Sequence, residues 1–211
     1  THAADLDGDG DPDLVAASHD DDSVTWFRNG GGNFALPTTG IAPSDVSEGW
    51  RYSFLKIVAR HAGRPGDDDV ELKDLNLRFE NASGGLLSVS SAVGLFDSVR
   101  VYRDTDSSGD WTPSDLQIST VGPAFLSIAS GFVTFVSGYD LSPGDEITLF
   151  VVLYLDIDAA SNVPNVFQIR HLTESTSHAT HDGLGIPLAL EFEPSTSSGV
   201  VTVPEPGFWL G

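Results

Sequence analysis

Short apolar runs alternate with turn-forming clusters along most of the chain, and no long run has helical spacing. In VELKDLNLRFE (Val70–Glu80) the apolar weight falls on Val70, Leu72, Leu75, Leu77 and Phe79. From Leu75 onward these alternate with polar residues, which predicts a strand with one wet face. By contrast, the ITLFVVLYL stretch within Glu146–Ile157 is apolar throughout, the pattern of a central strand covered on both faces. Further strands are predicted at Arg51–Arg60, Asp97–Asp104, Asp115–Thr120, Ala124–Ser137, Asn165–Leu172, Ile186–Glu193 and Gly199–Val203. Turn chemistry separates them at Gly63–Asp69, Asn81–Gly85, Ser142–Glu146 and Asn162–Asn165. The expected fold is all-β: an Ig-like β-sandwich over residues 41–203. A closed barrel is the competing architecture.

Residues 1–40 read as a separate unit. An acidic loop leads into the strand Leu14–Ser18, then the turn His19–Asp22, the strand Ser23–Asn29 and the glycine turn Gly30–Asn33. This is hairpin grammar. Residues 204–211 form a tail in which Pro204 and Pro206 stop any strand before apolar Phe208, Trp209 and Leu210.

Charge changes the picture. Asp and Glu number 31 against 10 Lys and Arg, a net charge of -21. Such a surface repels nucleic acid and anionic lipid and attracts divalent cations. Hydrophobic residues make up 40% of the chain, which excludes a disordered acidic tail. With no Cys there is neither disulfide nor thiolate chemistry. No apolar run is long enough to span a membrane. The opening on Thr1 is expected for a processed product or an excerpt of a longer precursor.

The acidic residues are patterned in two places. In DLDGDGDPD, Asp5, Asp7, Asp9, Asp11 and Asp13 stand on alternate positions. Calcium takes about six to eight oxygen ligands, and alternating carboxylates in a tight loop can turn inward together. Asp5, Asp7, Asp9 and Asp13 would offer side-chain oxygens and Asp11 its carbonyl, with Gly10 at the sixth position, where such a loop turns most sharply. The second loop is DTDSSGDWTPSD. Asp104, Asp106, Ser108, Asp110, Thr112 and Asp115 fall at positions one, three, five, seven, nine and twelve of an EF-hand-type loop, with Gly109 sixth. Asp115 replaces the usual final Glu and reaches less far. For both loops the competing reading is a solvated acidic turn. Asp20–Asp22 and Asp67–Asp69 are contiguous runs whose neighbours point apart, and solvated turns are expected there.

The segments Ala3–Ser18 and Val24–Phe34 resemble an FG-GAP/VCBS repeat, the blade unit of integrin-like β-propellers. The resemblance implies calcium at Asp5, Asp7, Asp9, Asp11 and Asp13 and a role in adhesion or ligand binding. A single repeat cannot close a propeller, because repeat units bury their faces against neighbours. The tail, Val203-Pro204-Glu205-Pro206 followed by apolar residues, resembles a PEP-CTERM sorting signal. That implies export to a bacterial envelope or matrix, with membrane attachment only through an anchor missing here. Val99–Asp115 and His181–Glu191 resemble β-sandwich modules of large bacterial surface proteins.

Nucleophile elbows, zinc-protease helices and phosphate loops are absent from the sequence, and no enzymatic activity is expected. His171, His178, His181 and Asp182 could ligate zinc, but a polar Ser/Thr/His loop is the favoured reading. Trp111, inside the second loop, is the best exposed candidate for stacking on sugar, whereas Trp26 and Trp50 are expected to anchor cores or interfaces. Asn81-Ala82-Ser83 is a glycosylation sequon in a turn. The expectation is an extracellular, calcium-stabilised structural protein. Its partners would be copies of itself, meeting through residues 14–29 and the C-terminal strand. A carbohydrate-binding or adhesive module, with surface glycans as partner, is the alternative.

Overall fold

The structure is a computed structural model. It describes residues 1–8, 10–29, 34–125, 132–172, 178–181 and 195–205, with backbone alone at 125, 132–138, 178, 179 and 181. The predicted Gly30–Asn33 turn, the strand Ile186–Glu193 and the apolar tail Phe208–Leu210 lie outside the described residues.

The chain is almost wholly antiparallel β. Its strands are β1 (His2–Ala4), β2 (Asp13–Ser18), β3 (Ser23–Phe27), β4 (Phe34–Ala35), β5 (Thr38–Gly40), β6 (Arg51–His61) and β7 (Val70–Asn81), followed by a helix, α1 (Val89–Leu95). Then come β8 (Phe96–Arg103), β9 (Leu116–Val121), β10 (Phe132–Leu141), β11 (Glu146–Leu155), β12 (Val166–His171), β13 (His178–His181), β14 (Thr196–Ser197) and β15 (Val201–Thr202). One sheet runs β10-β7-β12-β14, with β13 on β7 and β15 on β12; the other runs β4-β6-β11-β8-β9, with β5 on β6. These are the two layers of the sandwich. The barrel alternative is not what forms.

The periodicities locate the core. On β11, Ile147, Leu149, Val151, Leu153 and Leu155 enter the main cluster with Leu75, Leu77 and Phe79 of β7. Phe54 of β6 stacks on Phe167 of β12 at 5.6 Å between centroids, and Phe79 meets Phe96 of β8 at 5.2 Å, so each pair ties the layers together. Burying each such ring contributes about 1.5–3 kcal/mol. The other face of β11 also buries Phe150 and Val152, under Tyr102 and Trp111. That explains why this strand reads as apolar throughout: a loop covers its outer side.

The sandwich begins earlier than residue 41. Phe34 pairs with His61, Ala35 with Arg60 and Thr38 with Ile57, so residues 34–40 belong to the sheet of β6 rather than to the N-terminal repeat. Phe34, Ala35 and Leu36 are buried there, and a burial of that kind outweighs the sequence boundary drawn between residues 40 and 41.

Strands β1, β2 and β3 make a separate three-stranded sheet. Its register places Val15 opposite Trp26 and Ala17 opposite Val24 on one face, and Leu14 opposite Phe27 on the other. Val24 (73%), Trp26 (50%) and Phe27 (54%) are exposed. Two arginines tie this sheet to the sandwich. Arg28 bridges Asp7 at 2.6 Å and Asp68 at 2.8 Å, and Arg64 Nη1 donates to Asp11 and to the Gly10 carbonyl, each at 3.2 Å.

Candidate metal centre

The two acidic loops share a frame. Gly10 and Gly109, sixth in their loops, have φ of +96° and +76°, a region where only glycine is unstrained. Each donates its N–H to the first aspartate: Gly10 to Asp5 Oδ2 at 3.2 Å, Gly109 to Asp104 Oδ2 at 2.9 Å.

In the first loop the described carboxylates are engaged by the protein's own donors. Asp5 Oδ1 accepts from Gly8 N–H at 2.7 Å. Asp7 and Asp11 pair with Arg28 and Arg64. Asp13 is fully buried, accepting from Asn29 N–H at 2.7 Å and Leu6 N–H at 3.0 Å. The Asn29 bond is the main reason its carboxyl is held below the ordinary value of 3.8, against a smaller opposing effect of burial. Asp9 lies outside the described residues.

The second loop, between β8 and β9, is different. One oxygen from each of Asp104, Asp106 and Asp115 lies within 4.8 Å of the others, the only such acidic or histidine cluster among the described residues. Oxygens sharing one calcium, with bonds of about 2.3–2.6 Å, stand at most about 5 Å apart. The loop is preformed. Asp115 accepts from Thr105 N–H at 3.2 Å and Thr112 N–H at 2.8 Å, closing the loop on itself. Ser108 N–H bonds Asp106 Oδ1 at 2.9 Å, and the Ser108 hydroxyl is the main cause of the lowered Asp106 carboxyl pKa. The same hydroxyl donates to the Asp110 carbonyl at 2.8 Å. Lys56 bonds the Gly109 carbonyl at 2.9 Å rather than any of the three carboxylates.

One atom decides whether these residues suit a cation. Asp104 Oδ1 is buried and has no hydrogen-bond partner. A buried carboxylate oxygen left unanswered is costly, and a hard cation is one species that can answer it. Asp104, Asp106 and Asp115, with the Ser108 hydroxyl and the Asp110 carbonyl close by, fit calcium by donor type. Thr112 turns to Ser114, at 2.7 Å, and to Asp115. Asp104, Thr105, Ser107 and Gly109 also border an open cleft of ≈ 530 Å³, so the loop is reachable from solvent.

Other sequence candidates land elsewhere. Trp111 is half-buried: its ring meets Tyr102 edge-on at 5.6 Å and covers Phe150 and Val152. It is thus less presented than expected, while Trp26 and Trp50, expected to anchor cores or interfaces, are exposed and anchor no core. Asn81 uses its side-chain carbonyl to accept from Ser83 N–H at 2.9 Å and Gly85 N–H at 3.1 Å, within its turn. His171 is buried, its Nδ1 at 2.7 Å from the Thr38 hydroxyl. The side chains of His178 and His181, and all of Asp182, lie outside the described residues. Sequence reasoning passed over Arg28, Arg64 and Lys56. Their signal was available: cations are scarce in so acidic a chain, so each has a choice of partners.

A family model described as an FG-GAP-like repeat matches residues 5–55. No curated protein matches the chain. Among solved structures, AvmM, which catalyses macrocyclization in alchivemycin A biosynthesis, is 13% identical with a TM-score of 0.38, over 85% of this chain and 93% of that one. A cohesin module from a Clostridium perfringens ATCC13124 family 33 glycoside hydrolase is 13% identical at TM-score 0.31, over 83% and 98%. The CupB6 tip adhesin from Pseudomonas aeruginosa is 11% identical at 0.26, over 82% and 55%. TM-scores this low do not equate the folds. No helix among the described residues is long and apolar enough to cross a membrane.

Proposed function

We propose that this chain is an extracellular structural or adhesive β-module of a cell surface or matrix, stabilised by calcium and associating with copies of itself. The observation that carries the reading is the N-terminal sheet. Apolar side chains stand on both of its faces, and Val24, Trp26 and Phe27 are open to solvent. A sheet apolar on both faces is built to be covered on both, and contiguous exposed apolar surface marks an association site. The matching FG-GAP-like repeat supports a surface role. The Pro-Glu-Pro tail supports export by a sorting signal.

Calcium would be held by Asp104, Asp106 and Asp115, with Ser108 and Asp110 completing the set. Bound there, it would neutralise the clustered charge and lock the β8–β9 loop. This chain's own part is to preform the loop through Gly109 and the Asp115 bonds, and to seat Trp111 over Phe150 and Val152.

Sedimentation velocity and negative-stain imaging of the full chain, with calcium and then with chelator, test the proposal. Concentration-dependent assemblies are expected, reduced by Trp26→Ser and Phe27→Ser together. A monomer under all conditions would sink it.

A further inference from the structure

The chain carries 31 acidic residues against 10 basic ones, yet among the described residues neither Arg51 nor Arg100 pairs with a carboxylate. Both project from the outer face of the β6-β11-β8 layer, where Arg51 stands opposite Tyr154, and Arg100 opposite Val152. The Arg100 guanidinium lies 3.8 Å from the Tyr154 ring centroid and bonds Ser98 Oγ at 3.2 Å and Gln117 Oε1 at 3.1 Å. Arg51 lies 5.7 Å from the Tyr154 ring and 5.8 Å from that of Trp111. Among the described residues its guanidinium makes no hydrogen bond or ion pair. Its donors are stacked over aromatic rings and left free for something else.

Beside Arg51 opens a cavity of ≈ 310 Å³, lined by Gly49, Trp50, Arg51, Asp97, Tyr154 and Leu155. Trp50 is 68% exposed, far from what a core anchor requires. Its backbone is nonetheless fixed. The Trp50 carbonyl accepts from Leu155 N–H at 2.8 Å, and Gly49 N–H donates to the Asp156 carbonyl at 2.9 Å. The indole is therefore a presented surface on a pinned support.

We propose that this cavity binds one carboxylated pyranose, a uronate-type residue of an acidic polysaccharide. Its volume is at the lower end of ligand pockets, about 300–1,000 Å³, which suits a single sugar ring. The apolar C–H face of the ring lies on Trp50, whose rigid indole loses little entropy on contact. The sugar carboxylate takes the Arg51 guanidinium, whose fork matches it with two parallel bonds. Asp97 accepts from the ring hydroxyls. An acidic peptide would use the arginine but leave the indole idle. A neutral sugar would leave Arg51 without its partner. This site is separate from the calcium loop's ligands and from the N-terminal sheet, so it goes beyond the self-association reading.

Calorimetric titration of the full chain with trigalacturonate tests it, with the methyl-esterified trisaccharide and triglutamate as controls. Saturable binding of trigalacturonate is expected, weaker by at least about tenfold for the ester and for triglutamate. Trp50→Ala and Arg51→Gln should each weaken it by about tenfold or more, with melting and sedimentation unchanged. If Trp50→Ala melts early, Arg51→Gln decides. Absence of saturable binding at millimolar sugar, equal affinity for the ester, or wild-type binding by the Arg51 variant overturns the proposal. Triglutamate binding as tightly as the sugar overturns it too, in favour of an acidic peptide.

Discussion

In both acidic loops a sixth-position glycine donates its N–H to the first aspartate, Gly10 to Asp5 and Gly109 to Asp104. Beyond that bond the loops part. The first draws two arginines across from neighbouring segments, Arg28 to Asp7 and Arg64 to Asp11, and spends Asp13 on two backbone N–H groups. The second gathers Asp104, Asp106 and Asp115 within 4.8 Å, and leaves Asp104 Oδ1 buried without a partner. Two aspartate-rich sequences thus reach different states. The described carboxylates of the first are answered by the protein's own cations and amides, whereas the second keeps a buried carboxylate oxygen unanswered. Loop sequence sets the turn, whereas the neighbours a loop meets after folding set how its carboxylates are answered.

The largest expected effect is on the second loop. Free calcium at about 1,000 times its Kd stabilises a folded protein by about 4 kcal/mol, or roughly 8–16 °C of melting temperature at this size. Differential scanning calorimetry should show a rise of that order, lost in Asp104→Asn. In chelator the same variant should melt no lower than wild type, because the amide offers a donor to the neighbouring carboxylates where an unpartnered oxygen stood. Asp13→Asn should do the reverse: melt lower in chelator, with one of two buried bonds broken, and keep its calcium response. A response that survives Asp104→Asn and disappears with Asp5→Asn would invert the comparison.

Acid titration sharpens the contrast. Burial holds the His171 imidazole down to about 4 from its ordinary 6.5. Its contribution is therefore complete above pH 6.5 and lost as pH falls toward 4, by up to about 3 kcal/mol at 1.36 kcal/mol per unit. Asp13, also lowered, contributes above its ordinary 3.8 and loses that contribution only as pH falls further, through its folded value. Melting curves across pH should place His171→Gln on the upper limb and Asp13→Asn on the lower. A single limb that both variants move equally would contradict the assignment.

The smallest effect belongs to the bridge between loop and sandwich. Arg28 and its partners are partly exposed, and such pairs are worth about 1 kcal/mol or less. Arg28→Ala should barely change melting, yet speed amide exchange in β2 and β3, where the sheet's tie to Asp68 is cut. Unchanged exchange would mean the arginine is decorative and the first loop's charge is answered another way.

Much of the fold was legible. The long strands β6, β7, β8 and β11 fall within a residue or two of their predicted spans, because apolar-rich runs of this length, alternating in β7 and continuous in β11, are bounded by turn residues. The short pieces were not. Two-residue β4 cannot display a period, and its place in the sandwich comes from burial of Phe34 against the rest of the core. The seven-residue α1 is held by its Ser88 cap, which accepts from Ser91 N–H at 3.1 Å, and by burial of Ala92 and Leu95. Of the candidate metal centre, the spacing Asp104–Asp115 placed an acidic loop between two strands in advance, where β8 and β9 now flank it. Nothing local could show that Asp104 would keep a bare oxygen while Asp7 and Asp11 found arginines 21 and 53 residues away.

Alone, the sequence determined the all-β class, the long strands, the glycine-centred turns and the donor chemistry of both loops. These depend on side-chain period and on backbone angles, which are properties of neighbouring residues. Tertiary structure decided the boundary at residue 34, the partial burial of Trp111 while Trp50 stays exposed, and which acidic loop keeps a buried carboxylate oxygen without a partner. Those outcomes depend on distances between residues far apart in the chain. Such distances come into being only when two sheets close over a shared core.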